Sequence, residues 1–218
     1  MQFSRKLAKN GGHMRSVVFI SHPNVAVSRK LPVPQWPLSS VGRARMNAAL
    51  AQPWIRGISA VYSSTEQKAI DGAEILARHL SLGVTVIHEL GENDRTATGF
   101  LPPDEFEAVA DQFFAKPFES VRGWETALAA QQRIVEAVEA IVAADNSSGT
   151  IAIVSHGAVG TLLYCHLSGQ PTSRRWDQPP NGGGNYYFFE LNPKRALSWW
   201  KPVDEIAPHA IVSKDVWR

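Results

Sequence analysis

The sequence predicts an α/β fold, a three-layer α/β/α sandwich whose central sheet is mainly parallel. Short apolar runs alternate along the chain with longer stretches that carry apolar residues at three- and four-residue spacing. The first pattern is typical of strands buried on both faces, and the second of amphipathic helices. Strands that alternate with helices form βαβ units, in which the helices cover both faces of a parallel sheet.

The first half of the chain is expected to provide three strands and two helices. The continuous apolar runs predict strands at 16–21, 58–63 and 84–88. The stretches with helical spacing predict helices at 39–52 and 65–80. Ser39 and Ser40 stand where the first of these helices needs an N-cap, and serine is among the residues preferred there.

The second half is expected to provide three helices, one buried strand and a closing hairpin. Helices are predicted at 103–114, 123–144 and 158–167. Pro103, with acidic residues directly behind it, is typical of a first helical turn. A strand is predicted at 150–154, and a β-hairpin at 186–191 and 196–200 around Asn192-Pro193.

Composition and length limit the classes of protein. The chain has 218 residues, of which 44% are hydrophobic and 19% charged, so it can bury one core and is not intrinsically disordered. No apolar stretch approaches the roughly 18 residues of a membrane span. The single cysteine, Cys165, excludes a disulfide framework and a cysteine-based zinc cluster. We therefore expect one cytoplasmic domain at 16–218, with no membrane partner.

Residues 1–15 have a different charge from the rest. They carry four basic residues and no acid, and they lack the apolar stretch of a secretory signal. We interpret them as a flexible basic N-terminal extension, with a targeting arm as the alternative. Without those four residues, the 22 Lys and Arg fall to 18 against 20 Asp and Glu. The domain therefore gives no reason to expect nucleic acid as a partner.

A Ser-His pair stands at the carboxyl end of two of the predicted strands. The first strand runs into Ser21-His22-Pro23, and the fourth runs into Ser155-His156-Gly157. Ligands of open parallel sheets bind outside the carboxyl ends of the strands. If the two strands are neighbours, the imidazoles face one another there. Gly157 would open a helix whose free N–H groups favour an anion, most naturally a phosphate.

Two imidazoles beside an anion site fit phosphoryl transfer through a phosphohistidine. One neutral histidine attacks phosphorus and carries the group as a covalent intermediate. The second histidine donates to the phosphoryl oxygens, and basic residues neutralise their charge. A carboxylic acid would protonate the leaving alkoxide and then activate water.

These features resemble the histidine phosphatase superfamily, also called phosphoglycerate mutase-like. The resemblance extends from about residue 16 to 200, and the matching segments are Ser21-His22, Leu38–Arg43, Val61–Ser64, Ala73–Leu76 and Ser155–Gly157. It implies a phosphoglycerate mutase-like fold. It also implies a phosphohydrolase that acts on a small phosphomonoester without a metal or another cofactor.

The resemblance also implies roles for individual residues. His22 matches the phosphorylated nucleophile, and His156 matches the second histidine of the active site. Lys68 falls where the family usually has a phosphate-binding Arg. Ser21 and Gly157 flank the two histidines and are expected to contact phosphate. Glu92 falls near the proton donor of the family, with Glu89 and Asp94 as alternatives.

The first motif departs from the family, because Ser21-His22-Pro23 stands where the family has Arg-His-Gly. The missing Arg normally grips the phosphoryl group, and a hydroxyl does not replace its planar fork. Loss of one such donor typically costs about 2.7–4 kcal/mol. Arg95 is the preferred replacement, because it follows Glu92 on one short segment.

Other basic residues offer further possibilities. Arg29 and Lys30, on the long loop after the first strand, are alternatives to Arg95. Arg174 and Arg175 could instead meet a distal acidic group of the substrate.

Two alternatives to an active phosphatase remain open. The departures in the first motif fit a catalytically weakened pseudoenzyme that binds a phosphorylated ligand in a regulatory role. A metal site could join the histidines with Asp94 or Glu92, but the spacing contains no His-based zinc motif, so we expect no metal. The sequence leaves the physiological substrate and the oligomeric state undetermined.

Overall fold

The computed structural model describes residues 16–206. Within that range the chain forms seven strands: β1 Val17–Ser21, β2 Ile58–Ser63, β3 Val84–Val86, β4 Thr150–Ser155, β5 Asn185–Leu191, β6 Lys194–Ala196 and β7 Lys201–Pro202. It also forms five α-helices: α1 Ser40–Ala49, α2 Gln67–Leu80, α3 Pro103–Ala115, α4 Ala127–Ala144 and α5 Gly157–Leu167. The N-terminal extension predicted for 1–15 and the last part of the predicted domain, 207–218, lie outside the described residues.

The strands form one mixed sheet in the order β3-β2-β4-β1-β5-β6, with β7 paired to β5. The four strands from β3 to β1 are parallel, and β5 runs antiparallel to β1. The predicted closing hairpin is therefore the antiparallel edge of a parallel sheet. The strands β1 and β4 are direct neighbours, and Ser21 is paired with Ser155. This register brings the residues that follow the two serines to the same edge of the sheet.

The alternating residues of β1 divide the core into two layers. Val17 and Phe19 pack into an apolar cluster with α3, α4 and α5, whereas Val18 and Ile20 pack into a second cluster with α1 and α2. This division follows from the two-residue period of a strand. The predicted three-layer α/β/α sandwich is confirmed. None of the helices within the described residues is long and apolar enough to cross a membrane.

Several boundaries differ from the prediction. The helix predicted at 39–52 ends at Ala49, and the helix predicted at 65–80 begins at Gln67. The strand predicted at 84–88 ends at Val86, because a 3-10 turn begins at His88. The helix predicted from residue 123 begins at Ala127, because Thr126 caps it by accepting a hydrogen bond from the Ala129 N–H. The second hairpin strand, predicted at 196–200, lies instead at Lys194–Ala196, because it pairs with β5 directly after the turn at Asn192-Pro193. The chain then pairs with β5 again through β7.

Candidate active site

The two histidines meet at the carboxyl edge of the sheet, as the strand ends predict. His22 follows β1, and its N–H donates to the Ser155 carbonyl at 2.9 Å. His156 follows β4 and is the N-cap residue of α5. The two ring centroids are 5.2 Å apart, with an angle of 72° between the ring planes. The two imidazoles therefore lie edge to face against one another.

The backbone of Pro23 determines the tautomer of His22. The Nδ1 atom of His22 is 2.9 Å from the Pro23 carbonyl oxygen. A carbonyl only accepts hydrogen bonds, so Nδ1 carries the proton and Nε2 keeps its lone pair. Burial, together with the charge of Lys68, lowers the pKa of His22 to about 4. At neutral pH the ring is uncharged and its Nε2 is nucleophilic.

His156 is completely buried and lies between a hydroxyl and a carboxylate. Its Nε2 is 2.7 Å from Ser64 Oγ and 3.3 Å from Glu66 Oε1. Its Nδ1 has no hydrogen-bond partner in the described part of the chain. Burial lowers the pKa of His156 well below its usual value, although Glu66 acts in the opposite direction.

Glu66 is a site residue that the sequence analysis missed. Its carboxylate contacts the Lys68 ammonium and accepts a hydrogen bond from the Glu92 N–H at 3.0 Å. Burial opposes ionisation of Glu66, but its interactions with the His156 ring, the Lys68 ammonium and the Glu92 N–H outweigh burial and lower its pKa to about 2. The Ser-Ser-Thr-Glu segment after β2 carries no signal of this role, because an isolated acid at a helix start is usually solvated.

Lys68 has two protein partners. Its Nζ contacts Glu66 and donates to the Val33 carbonyl at 3.0 Å, and the residue is only 3% exposed. Lys68 lies close enough to His22 to lower the pKa of that ring. The Glu66 carboxylate balances the positive charge of Lys68. Lys68 therefore attracts a phosphate less strongly than an unpaired lysine would.

The N-terminus of α5 holds a carboxylate of the protein itself. Glu92 accepts hydrogen bonds from the Ala158 N–H at 3.3 Å and the Val159 N–H at 3.1 Å. Burial raises the pKa of Glu92, even though Arg95 and the hydrogen bond from the Val159 N–H favour its ionised form. Within residues 16–206, the N–H of Gly157 has no acceptor.

The two alternative acids are less well placed than Glu92. Asp94 is exposed and accepts a hydrogen bond from the Thr96 N–H at 2.8 Å, and this bond lowers its pKa. Glu89 is also exposed. Of the three acids, Glu92 is the one whose carboxylate lies at the helix N-terminus next to His156.

A cleft of about 1390 Å³ reaches Glu66 and Glu92, the two carboxylates beside His156, although neither His22 nor His156 is among its lining residues. Its walls come mainly from the loop before α1 and from the segment between β3 and α3, and its lining includes Glu66, Glu92, Arg29 and Arg95. The guanidinium of Arg95 lies 5.1 Å from the centre of the Phe106 ring. Arg95 and Glu92 therefore reach the same cleft from one segment.

The remaining basic candidates lie elsewhere. Lys30 is exposed and does not line the cleft. Arg174 forms ion pairs with Glu107 at 2.7 Å and Asp111 at 2.8 Å. Arg175 lies over the ring of Trp176. Neither of these arginines lines the cleft.

Ser21 is part of a buried network that spans distant parts of the sequence. Its hydroxyl donates to Gln178 Oε1 at 2.6 Å and accepts from the Asn185 N–H at 3.0 Å. Asn185 Nδ2 also donates to Gln178 Oε1, at 2.9 Å. The hydroxyl of Ser21, expected to contact phosphate, is therefore engaged by the protein. The two contacts of Ser21 join residues more than 150 positions apart, and no local sequence pattern indicates them.

No group of three or more His, Cys, Asp and Glu side chains within residues 16–206 is arranged to hold a metal ion.

The chain is similar to known proteins of one superfamily. The family profile of the histidine phosphatase superfamily (branch 1) matches residues 18–197. No curated protein matches the sequence significantly.

Solved structures with the same fold are distant in sequence. A mycobacterial glucosyl-3-phosphoglycerate phosphatase, solved with inorganic phosphate, is 20% identical, with a TM-score of 0.71 over 88% of this chain and 99% of that chain. YhfR of Bacillus stearothermophilus is 23% identical, with a TM-score of 0.68 over 91% and 98%. The alpha-ribazole phosphatase of Shigella flexneri is 18% identical, with a TM-score of 0.62 over 89% and 99%. With the family profile matching most of the chain, this protein belongs to the histidine phosphatase superfamily.

Proposed function

We propose that the protein is a phosphohydrolase that hydrolyses a small phosphomonoester through a phosphohistidine at His22. The observation that carries this proposal is the hydrogen bond from His22 Nδ1 to the Pro23 carbonyl, because it leaves Nε2 unprotonated beside His156. The names of the phosphatases with the same fold favour the same reaction class.

In the first step, His22 Nε2 attacks phosphorus, a P–N bond forms and the bond from phosphorus to the leaving oxygen breaks. Protonated Glu92 gives its proton to the leaving alkoxide. In the second step, the Glu92 carboxylate takes a proton from water while the water oxygen attacks phosphorus. The P–N bond then breaks, and His22 and inorganic phosphate are released. The two steps require no metal ion.

The remaining residues of the site bind the phosphoryl group. The ionised Glu66 carboxylate lies 3.3 Å from His156 Nε2 and favours a proton on that nitrogen, which Nε2 donates to Ser64 Oγ at 2.7 Å. His156 Nδ1 has no partner within residues 16–206, and when the ring takes up a second proton, its Nδ1–H donates to a phosphoryl oxygen. Arg95 supplies positive charge to the phosphoryl group, and the Gly157 N–H donates a hydrogen bond to one of its oxygens. Lys68 adds a weaker attraction, because Glu66 already balances its charge.

A binding module without catalysis is the second candidate function. Two observations favour it. Ser21 brings only a hydroxyl to the position where the family has the guanidinium of an Arg, and this hydroxyl is already hydrogen-bonded to the protein. In addition, Glu66 balances the charge of Lys68. Both weaken the grip on a phosphoryl group that carries two negative charges.

Hydrolysis of an aryl phosphate by the wild type and by His22→Ala discriminates between these candidates. We expect wild-type turnover that survives a chelator and falls by at least about 10³-fold in the variant, because the nucleophile is lost. Acid-labile phosphate on the denatured wild type would identify the intermediate. His79→Ala, an exposed residue of α2, is the control and should retain full activity.

Equal and negligible rates in the wild type and His22→Ala, across several phosphomonoesters, would contradict the hydrolase. If the wild type still binds phosphate in that case, the binding module is the correct function.

A further inference from the structure

We propose that the cleft beside the histidines binds an apolar organic group, so that the substrate is the phosphomonoester of an apolar alcohol without a second acidic group. This inference rests on the proposed function, because it names the leaving group of the reaction at His22. The cleft has a volume of about 1390 Å³, whereas small-molecule sites typically have roughly 300–1,000 Å³. It can therefore hold a sizeable organic group.

Apolar side chains form both walls of the cleft. One wall comes from the loop between β1 and α1 and the other from the segment before α3 and the start of that helix, and their side chains include Leu31, Val33, Trp36, Phe100, Leu101 and Phe106. The Trp36 and Phe100 rings are 5.7 Å apart, so the two walls touch. Leu31 is 44% exposed and Phe100 is 42% exposed. An apolar ligand would remove this surface from water, which is favourable.

The wall before α1 is held in place by the protein itself. Trp36 is only 6% exposed, and its Nε1 donates to the Ser28 carbonyl at 2.8 Å and to the Leu31 carbonyl at 3.0 Å. Lys68 Nζ donates to the Val33 carbonyl at 3.0 Å, and this bond connects the loop to the histidine site. A wall that is already ordered loses little conformational entropy on binding, so its apolar surface can contribute to affinity.

The cleft lies on the side of the site from which the leaving group departs. In phosphoryl transfer the attacking and leaving atoms are roughly in line with phosphorus, so the leaving oxygen lies opposite His22. Glu92, the proposed donor of a proton to that oxygen, lines the cleft, whereas His22 does not. The phosphoryl group would therefore lie between His22 and the cleft, and the organic group would extend from Glu92 along the apolar walls.

The charges along the cleft disfavour a second anionic group on the substrate. Its lining contains five acidic residues, Glu66, Glu92, Asp94, Glu107 and Glu125, against three arginines. Arg133 binds both carboxylate oxygens of Glu125, at 3.0 and 2.8 Å, and Arg95 is assigned to the phosphoryl group. Only the exposed Arg29 remains. A carboxylate or a second phosphate on the substrate would meet mainly like charges, which weaken binding.

A series of straight-chain alkyl phosphates, from ethyl to octyl phosphate, tests the inference on the whole chain. The leaving alcohols have nearly equal basicity, so differences in kcat/KM report how the alkyl chain binds. We expect the wild-type kcat/KM to rise about threefold for each methylene that enters the cleft, because each buried CH₂ stabilises the transition state. A chain of matched length that ends in a carboxylate should have a kcat/KM at least about tenfold lower.

The Phe100→Ser variant removes an exposed part of the apolar wall. It should lower the ratio of kcat/KM for octyl phosphate to kcat/KM for ethyl phosphate by about tenfold, because less of the chain is buried. Phe118→Ser is the matched control, because Phe118 is 78% exposed and does not line the cleft. This control should keep the wild-type ratio. Thermal melting of both variants distinguishes a lost contact with the chain from lost folding.

An active wild type whose kcat/KM does not change with chain length would overturn the inference, as would a wild-type ratio in Phe100→Ser. Equal rates for the carboxylate-terminated and the apolar chain would overturn the exclusion of a second acidic group. Failure of the proposed function gives a different result: the wild type would hydrolyse no alkyl phosphate and no aryl phosphate, and the inference would fall with it.

Discussion

Two carboxylates with opposite pKa shifts lie side by side in the site. Glu66 contacts Lys68 and has a pKa of about 2, whereas burial raises the pKa of Glu92. The two residues are in contact, since Glu66 accepts a hydrogen bond from the Glu92 N–H. Their carboxylates have different partners: Glu66 contacts the Lys68 ammonium, whereas Glu92 accepts from N–H groups at the start of α5. Glu66 is suited to be a fixed negative charge, and Glu92 to be the proton donor.

The role of Glu92 predicts a dependence on the leaving group. Glu92→Gln should lower kcat/KM for an alkyl phosphate by about 10²–10⁴-fold, because a poor leaving group needs the proton. It should lower kcat/KM much less for 4-nitrophenyl phosphate, whose leaving group departs without one. Steady-state rates with both substrates measure the difference. The control variants Glu89→Gln and Asp94→Asn should have wild-type rates.

The pH profile gives a second readout of the same residue. Wild-type kcat/KM should rise through about pH 4 as His22 loses its proton, and it should fall at higher pH as Glu92 ionises. The alkaline fall should disappear in Glu92→Gln. Equal losses for both substrates, with an unchanged profile, would mean that Glu92 is not the acid.

At the scale of elements, the turn before β5 closes over His22. Gly182, Gly183 and Gly184 have φ values of 81°, 79° and 66°, a region that L residues rarely adopt. The Gly184 N–H donates to the His22 carbonyl at 3.0 Å, and a Cβ on Gly183 would lie 2.3 Å from that oxygen. The turn therefore holds the backbone of His22 directly.

Alanine at position 183 should destabilise the fold and displace His22. Gly169 is the matched control, because its φ is 63° but a Cβ there meets no atom within 4 Å. We expect Gly169→Ala to cost about 1–2 kcal/mol, the conformational cost alone. Gly183→Ala should cost more and should also reduce phosphatase activity. Urea unfolding and aryl phosphate hydrolysis measure the two effects, and equal results for both variants would contradict the close approach.

The elements could be predicted from the sequence where burial alone determines them. β1 and β4 are continuous apolar runs because both faces of each strand are covered. The shared Ser-His ends left open whether the two strands are neighbours, and the sheet register shows that they are. The start of α4 could not be predicted as well, because the apolar spacing begins before the Thr126 cap that fixes the boundary.

For the whole molecule, the sequence predicted the histidine pair but not what surrounds it. His22, His156 and Glu92 follow strand ends or match a known family, so their positions could be inferred. Gln178 and Asn185 reach the site only because the chain returns to β1 as an antiparallel strand. Such contacts depend on side-chain packing across the fold, which periodicity does not encode.

Buried histidines should make the whole fold sensitive to acid. Burial is the main cause of the lowered pKa values of His22, His156 and His166. In the unfolded chain these rings take up protons near pH 6.5, so below that pH the unfolded state binds more protons than the folded state. The free energy of unfolding should therefore fall as the pH is lowered from about 6.5 towards 4.

His22→Gln removes one of these groups and should flatten that fall by as much as about 3 kcal/mol. Urea unfolding at several pH values between 7 and 4 measures the slope, and His79→Gln, at an exposed position of α2, should keep the wild-type slope. The raised pKa of Glu92 acts in the opposite direction but is common to all three proteins, so it cancels in the comparison. If His22→Gln and the wild type gave parallel curves, His22 would not be held neutral by the fold, and the case for its Nε2 as nucleophile would lose its physical basis.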